Sequence, residues 1–181
     1  MPKKKYCKTQ YPRYFCVPAN LKSLLKKEKH EIGLYEIGNY LGVKVPKKFV
    51  KDYPRTEISE KNKFEINIHK KEYSINSFFK KKKIPLKLNY FYITITKKVK
   101  SLLNKKFKTT HVMICYDYPT LFNKQGHWGH VSLISKFNQK GIWLFEPKDG
   151  KESFFDYDKI SSSIKSHGKR KKGGFWVISK K

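Results

Sequence analysis

Residues 130–147 read HVSLISKFNQKGIWLFEP. Two strand-like apolar runs, HVSLISKF and GIWLFEP, lie on either side of Asn138-Gln139-Lys140, with Gly141 following, a pattern that predicts a β-hairpin. An antiparallel pair returns its far end to its starting end. His130 opens the first strand and Glu146 lies sixteen residues on, at the end of the second. The hairpin is therefore expected to bring an imidazole and a carboxylate together.

Upstream of the hairpin, HVMICYDY (His111–Tyr118) reads as a strand and Pro119–Gly126 as a loop. Downstream, an Asp149-Gly150 turn precedes FDYDKISSSI (Phe155–Ile164), which fits a helix with an Asp near its start. A basic loop, HGKRKKGG, then leads to a last strand, FWVIS. The first half of the chain is mainly helical. Val17, Leu21 and Leu24 recur at helical spacing, and Pro18 suits a first turn, so a helix is predicted from Cys16. A second helix fits Glu31–Leu41, with Gly42 stopping it. Residues 43–62 carry no clear periodicity. Ile75–Lys83 reads as a short helix, Leu86–Ile95 as a strand and Lys97–Lys106 as a further helix. Helices early and antiparallel strands late give an α+β class, with N-terminal helices packed on a C-terminal antiparallel sheet. At 181 residues the expected organisation is a basic flexible lead-in (1–9) and a single domain (10–181).

The charge balance is lopsided: 42 Lys plus Arg against 14 Asp plus Glu, a net +28. Only Arg13, Arg55 and Arg170 are arginines, so bidentate phosphate recognition is not what the composition favours. Lysines on every segment make a diffuse positive field, suited to non-specific polyanion or nucleic-acid contact, or simply to solvated faces. No window is long and apolar enough for a membrane span. The basic N-terminus has no apolar stretch behind it, so a secretory signal is not expected and a cytoplasmic, reducing location is.

Three cysteines, Cys7, Cys16 and Cys115, fit no zinc spacing. His30, His69, His111 and His167 have no partners at metal-ligand spacing either, and neither metal nor cofactor is expected. Cys115, inside VMICY, reads as core, and Cys7 as an incidental thiol. Cys16 differs by position. At the start of a helix, free N–H groups and the positive dipole end favour a thiolate and can face an oxyanion. Gln10, six residues upstream, could complete such a hole with its amide. With His130 as base and Glu146 as its orienter, two separated blocks supply the parts of an acyl-transfer site. His127, in GHWGHV, is a rival base. Asp117 could line the cleft or merely end its strand, Trp128 could wall the site or belong to the core, and KRKK (169–172) could touch phosphates or be solvated.

These two blocks carry a resemblance. QYPRYFCVPANLKSLL is similar to the active-site helix of the papain-like cysteine peptidase superfamily, above all to peptidases that process double-glycine leaders, in which a Gln stands six residues before a helix-opening Cys. GHVSLISKFNQKGIWLFEP resembles their second signature, a Gly-His, a hairpin and an acidic residue followed by Pro. FFDYDKISSSI and FWVIS resemble their closing helix and strand. The resemblance implies a papain-like fold and a cysteine peptidase, with Cys16 as nucleophile, His130 as base, Glu146 as orienter and Gln10 as oxyanion donor. It implies a peptide or protein substrate but not which one. Family members usually have Asp where Glu146 stands and Gly where Val17 stands, and many are fused to a transporter. Amidase, isopeptidase or acyltransferase chemistry would use the same parts. A basic nucleic-acid-binding protein on an idle peptidase-like fold, or a purely structural module, are the readings from other classes.

Overall fold

A computed structural model describes residues 3–53 and 56–181. Met1, Pro2, Pro54 and Arg55 lie outside the described residues, and with them the start of the expected lead-in and one of the three arginines.

Helix α1 (Cys16–Lys27) starts at the cysteine, with Pro18 in its first turn and Lys26 and Lys27 complementing the dipole in its last. Val17, Leu21, Leu24 and Leu25 form its buried stripe. Helix α2 (Leu34–Tyr40) is shorter than expected, because Gly33 is extended and serves as its N-cap, which leaves Glu31 and Ile32 outside. Residues 43–62 contain a two-residue parallel pair, β1 (Lys44–Val45) with β2 (Glu57–Ile58). Helix α3 (Ile75–Lys81) is capped by Ser74, whose Oγ accepts the Ser77 N–H at 3.2 Å. Strand β3 (Leu86–Phe91) and helix α4 (Thr96–Lys106) follow.

Strand β4 (His111–Asp117) leads directly into a short helix, α5 (Tyr118–Phe122), in the region expected to be loop. Asp117 causes this, since its Oδ2 accepts the Thr120 N–H at 3.1 Å and Pro119 fits the first turn. Strands β5 (Gly129–Phe137) and β6 (Gly141–Phe145) form the hairpin, with a bulge between Ile134 and Lys136. A strand absent from the sequence reading, β7 (Glu152–Asp156), takes the first two residues of the expected Phe155–Ile164 helix. Asp156 then caps α6 (Tyr157–His167), and β8 (Gly174–Lys180) closes the chain.

Six strands make one antiparallel sheet in the order β3-β8-β4-β5-β6-β7, so the class is α+β. The helices are not confined to the N-terminal half. Helices α1 to α3 cover one face, where Val17, Leu21, Ile37 and Phe78 meet Met113, Leu133 and Trp176. Helices α4 and α6 cover the other, where Val99, Leu103, Ile160 and Ile164 meet Ile114, Ile134 and Val177. Every residue of β4 is buried, as a strand covered on both faces requires. No helix among the described residues is long and apolar enough to cross a membrane.

The lead-in lies along this body. Lys4 donates its N–H to the Ser135 carbonyl at 2.8 Å and its Nζ to that of Thr110. The Tyr6 ring rests between His111 and Phe145. Ser23 Oγ donates to the Cys7 carbonyl at 2.6 Å.

Candidate active site

The sheet delivers His130 at one of its ends. In the β4–β5 ladder it stands opposite Tyr116, one step from the Asp117–Gly129 pair that ends the ladder. Its ring is wedged edge-on against Tyr116 (5.7 Å between centroids) and Tyr118 (5.4 Å). Nε2 donates to Glu146 Oε2 at 2.7 Å, and the Cys16 side chain is close enough to act on the same ring.

Electrostatics favour the imidazolium. Burial opposes charge on His130, but the hydrogen bonds to Cys16 and Glu146, and the negative charge of both, outweigh it and push the group up to about 10. Glu146 answers in the opposite sense. Burial would raise it, yet His130 first, then the Tyr11 hydroxyl and the Lys148 N–H, hold its carboxyl below the ordinary range. Tyr11 Oη donates to Glu146 Oε1 at 2.7 Å and the Lys148 N–H to the same oxygen at 3.1 Å, so each carboxylate oxygen has a donor. The turn is closed by Glu146 N–H to Lys151 O and Gly150 N–H to Glu146 O, both 2.9 Å.

Cys16 is half-buried at the mouth of α1. Pro18 has no N–H, and the Ala19 N–H is taken by the Phe15 carbonyl at 2.9 Å. The Cys16 and Val17 N–H groups remain as donors facing outward from the helix start. Asn20, fully buried one turn on, ties this helix to the histidine strand. Its Nδ2 donates to the Cys16 carbonyl at 2.8 Å and to the Val131 carbonyl at 2.7 Å. Tyr14, two residues before the cysteine, is left-handed (φ 65°) and stacks on Phe64 with centroids 4.1 Å apart. A bulky residue there carries roughly 1–3 kcal/mol of strain, which the surrounding aromatic cluster must offset.

Gln10 has an exposed side chain without a hydrogen-bond partner among the described residues. Its neighbours place it beside the carboxylate: Thr9 donates to the Pro147 carbonyl at 2.8 Å, and Tyr11 binds Glu146. His127 goes elsewhere. Its ring is 74% exposed, with Nδ1 3.4 Å from Asp117 Oδ2, whereas Cys16 acts on His130. Asp117 is occupied as the cap of α5. Trp128 is 48% exposed and stacks on Tyr118, a rim residue rather than core. Cys115 is buried, and burial followed by the charge of Cys16 pushes its thiol far up. Among the described residues no group of His, Cys, Asp and Glu could hold a metal ion.

Sequence reasoning had missed Tyr11 and Asn20. Tyr11 carried no signal beyond standing next to Gln10. Asn20 did carry one, as a polar residue on the buried side of α1, a position it shares with Ser23.

The arrangement gathers a thiol, an imidazole whose protonated form its neighbours favour, a carboxylate bound to that imidazole and helix-end N–H groups. Such a set can form and break an acyl–sulfur bond. Compared with known proteins, the chain matches no family model and no curated protein.

Proposed function

We propose that the chain is a papain-like cysteine peptidase that cleaves an amide bond through a thioester at Cys16. The observation that carries this reading is the position of His130, which donates to Glu146 at 2.7 Å and is raised by the Cys16 side chain as well.

In the reaction, the Cys16 proton resides on His130 and the sulfur attacks the carbonyl carbon. The oxygen, now negative, is met by the N–H groups at the start of α1, with the Gln10 amide swinging in from solvent as a further donor. As the C–N bond breaks, His130 returns its proton to the leaving amine. Water then attacks the thioester, giving its proton to His130, and the thiol is released. Glu146 keeps the imidazole oriented and stabilises its charge without itself taking the proton. Tyr11 holds the carboxylate, and Asn20 holds the helix against the strand.

Alkylation by iodoacetamide at varied pH, followed by peptide mapping, tests the reading. Expected is selective labelling of Cys16 at about pH 6, where an ordinary thiol is nearly inert, and its loss in His130→Ala. Slow labelling of Cys7, Cys16 and Cys115 with one common, ordinary thiol profile would end the proposal.

A further inference from the structure

The chemistry above leaves unused the turn between α6 and β8. Lys169, Arg170, Lys171 and Lys172 are consecutive and exposed, and none forms an ion pair among the described residues. Four like charges in one turn repel each other, so a counter-charge from a ligand is the missing partner.

The fold ties this turn to the strands that carry His130 and Cys115. On its upstream side, His167 lies so close to Gly129, the residue before His130, that a Cβ there would run into the ring. His167 Nε2 in turn donates to the Lys171 carbonyl at 3.1 Å. On its downstream side, Gly174 pairs with Cys115, whose thiol feels the charge of Cys16. The backbone of the turn is pinned by neutral groups, Tyr90 Oη to the Gly173 carbonyl at 2.7 Å and Trp176 Nε1 to that of Lys172 at 3.0 Å. Lys172 Nζ lies over the Tyr90 ring, 5.3 Å from its centroid, while the heads of Lys169, Arg170 and Lys171 are presented to solvent. From Lys172 an apolar cavity of about 200 Å³ runs along Tyr90, Leu88 and Trp176 to Ile75 on α3. Tyr90, Leu88 and Cys16 all pack against the one core cluster that contains Trp176, so cavity and thiol lie on the same face of the sheet.

We propose that the substrate is an acidic polypeptide segment, its carboxylates on Lys169–Lys172 and an apolar side chain in the adjoining cavity. This rests on the hydrolase reading for its outcome but not for its binding. A polypeptide fits better than a nucleic acid because the cavity walls include the aliphatic side chains of Ile68, Ile75 and Leu88. Three of the four cations are also lysines, point charges rather than bidentate forks.

The test uses the full chain carrying Cys16→Ala and a fluorescein-labelled Glu/Leu decapeptide, with its Gln/Leu counterpart as control. Expected is binding of the acidic peptide at least ~10-fold tighter, an advantage erased by 0.5 M NaCl and by K169E/R170E/K171E. Equal affinity for the two peptides overturns the proposal, as does an unchanged preference in the charge-reversed chain. A single-stranded oligonucleotide that binds through the turn while the peptides do not discriminate overturns it in favour of a nucleic-acid surface. Iodoacetamide labelling of Cys16 in the otherwise unaltered chain and in K169E/R170E/K171E separates the two readings. If labelling stays selective while the acidic preference is absent, only the substrate inference falls. If the acidic peptide binds but Cys16 labels as an ordinary thiol, only the hydrolase reading falls.

Discussion

Two histidines at opposite ends of β4 and β5 each meet a glutamate through Nε2, and they differ in what else acts on the ring. His130 has Glu146 at 2.7 Å and is also acted on by the Cys16 side chain. His111 has Glu28 at 2.8 Å and the neutral Tyr6 hydroxyl at 3.1 Å on Nδ1. Both are largely buried. His130 is nonetheless held up to about 10, whereas His111 is held below its ordinary value, by burial first and then by Lys4 and Lys27 against the pull of Glu28. One carboxylate does not outweigh desolvation with two lysines nearby. A carboxylate together with the Cys16 side chain does. The His–Glu pair is therefore not what marks a site in this protein; the thiol is.

The largest expected effect is on turnover. Cys16→Ala and His130→Ala should each lower amide hydrolysis by at least ~10³-fold, while His111→Gln stays within about threefold of the unaltered chain, measured as kcat/KM on one peptide. A comparable loss in His111→Gln would erase the contrast between the two ends.

The pH dependence comes next, and its sign is opposite at the two ends. His130 is raised, so its contribution to stability is complete below about 6.5 and is lost as pH climbs towards about 10. His111 is lowered, so its contribution is present above about 6.5 and is lost as pH falls. Glu146 is lowered as well, and its share disappears only below about pH 4.5. Imidazole proton NMR should show His130 still protonated at about pH 8 and His111 neutral. In Cys16→Ala, His130 should move back towards the ordinary value. Two histidines titrating together would refute the electrostatic account.

Smaller effects sharpen it. Asn20→Ala removes the donor shared by the Cys16 and Val131 carbonyls and should cost about 2 kcal/mol, a fall of ~4–8 °C in Tm. It should also slow Cys16 alkylation, which a purely structural residue would leave alone. The two tyrosines make the finest comparison. Tyr11→Phe strips a donor from Glu146 and should reduce kcat by ~10-fold with KM little changed. Tyr6→Phe removes the hydroxyl from His111 and should shift Tm by only ~2 °C with turnover intact.

The parts of the fold that were legible in the sequence are those set by local rules. Pro18 two residues into an apolar 3.6-residue period announced α1, and Asn138 followed by Gly141 announced the β5–β6 turn. Strand β7 was not legible, because Glu152–Asp156 is an outer strand with a mostly exposed face and its pairing with β6 leaves no mark on its own composition. Helix α5 was hidden for another reason. At five residues it exists through the Asp117 cap rather than through propensity. The second covered face of the sheet had a signal that went unread, since HVMICY is apolar on both alternations, as only a doubly covered strand can be. At the site, the sixteen-residue step made the meeting of His130 and Glu146 foreseeable. The same step, with the apolar strand that follows it, favoured His130 over His127, although both lie within a few residues of the same strand end.

By itself, then, the sequence determined where α1 starts, which residue its positive end carries, and that a hairpin returns a glutamate to a histidine. These follow from hydrogen bonds and periodicities that span a few residues. Only the tertiary structure decided that α1 packs against the strand beginning at Gly129, so that the Cys16 side chain acts on the imidazole, that Asn20 and Tyr11 hold the two halves in place, and that His167 ties the basic turn to Gly129. Those contacts join residues up to 135 positions apart, as Tyr11 and Glu146 are, and no local preference encodes such a distance. It is set by which apolar faces the sheet must bury.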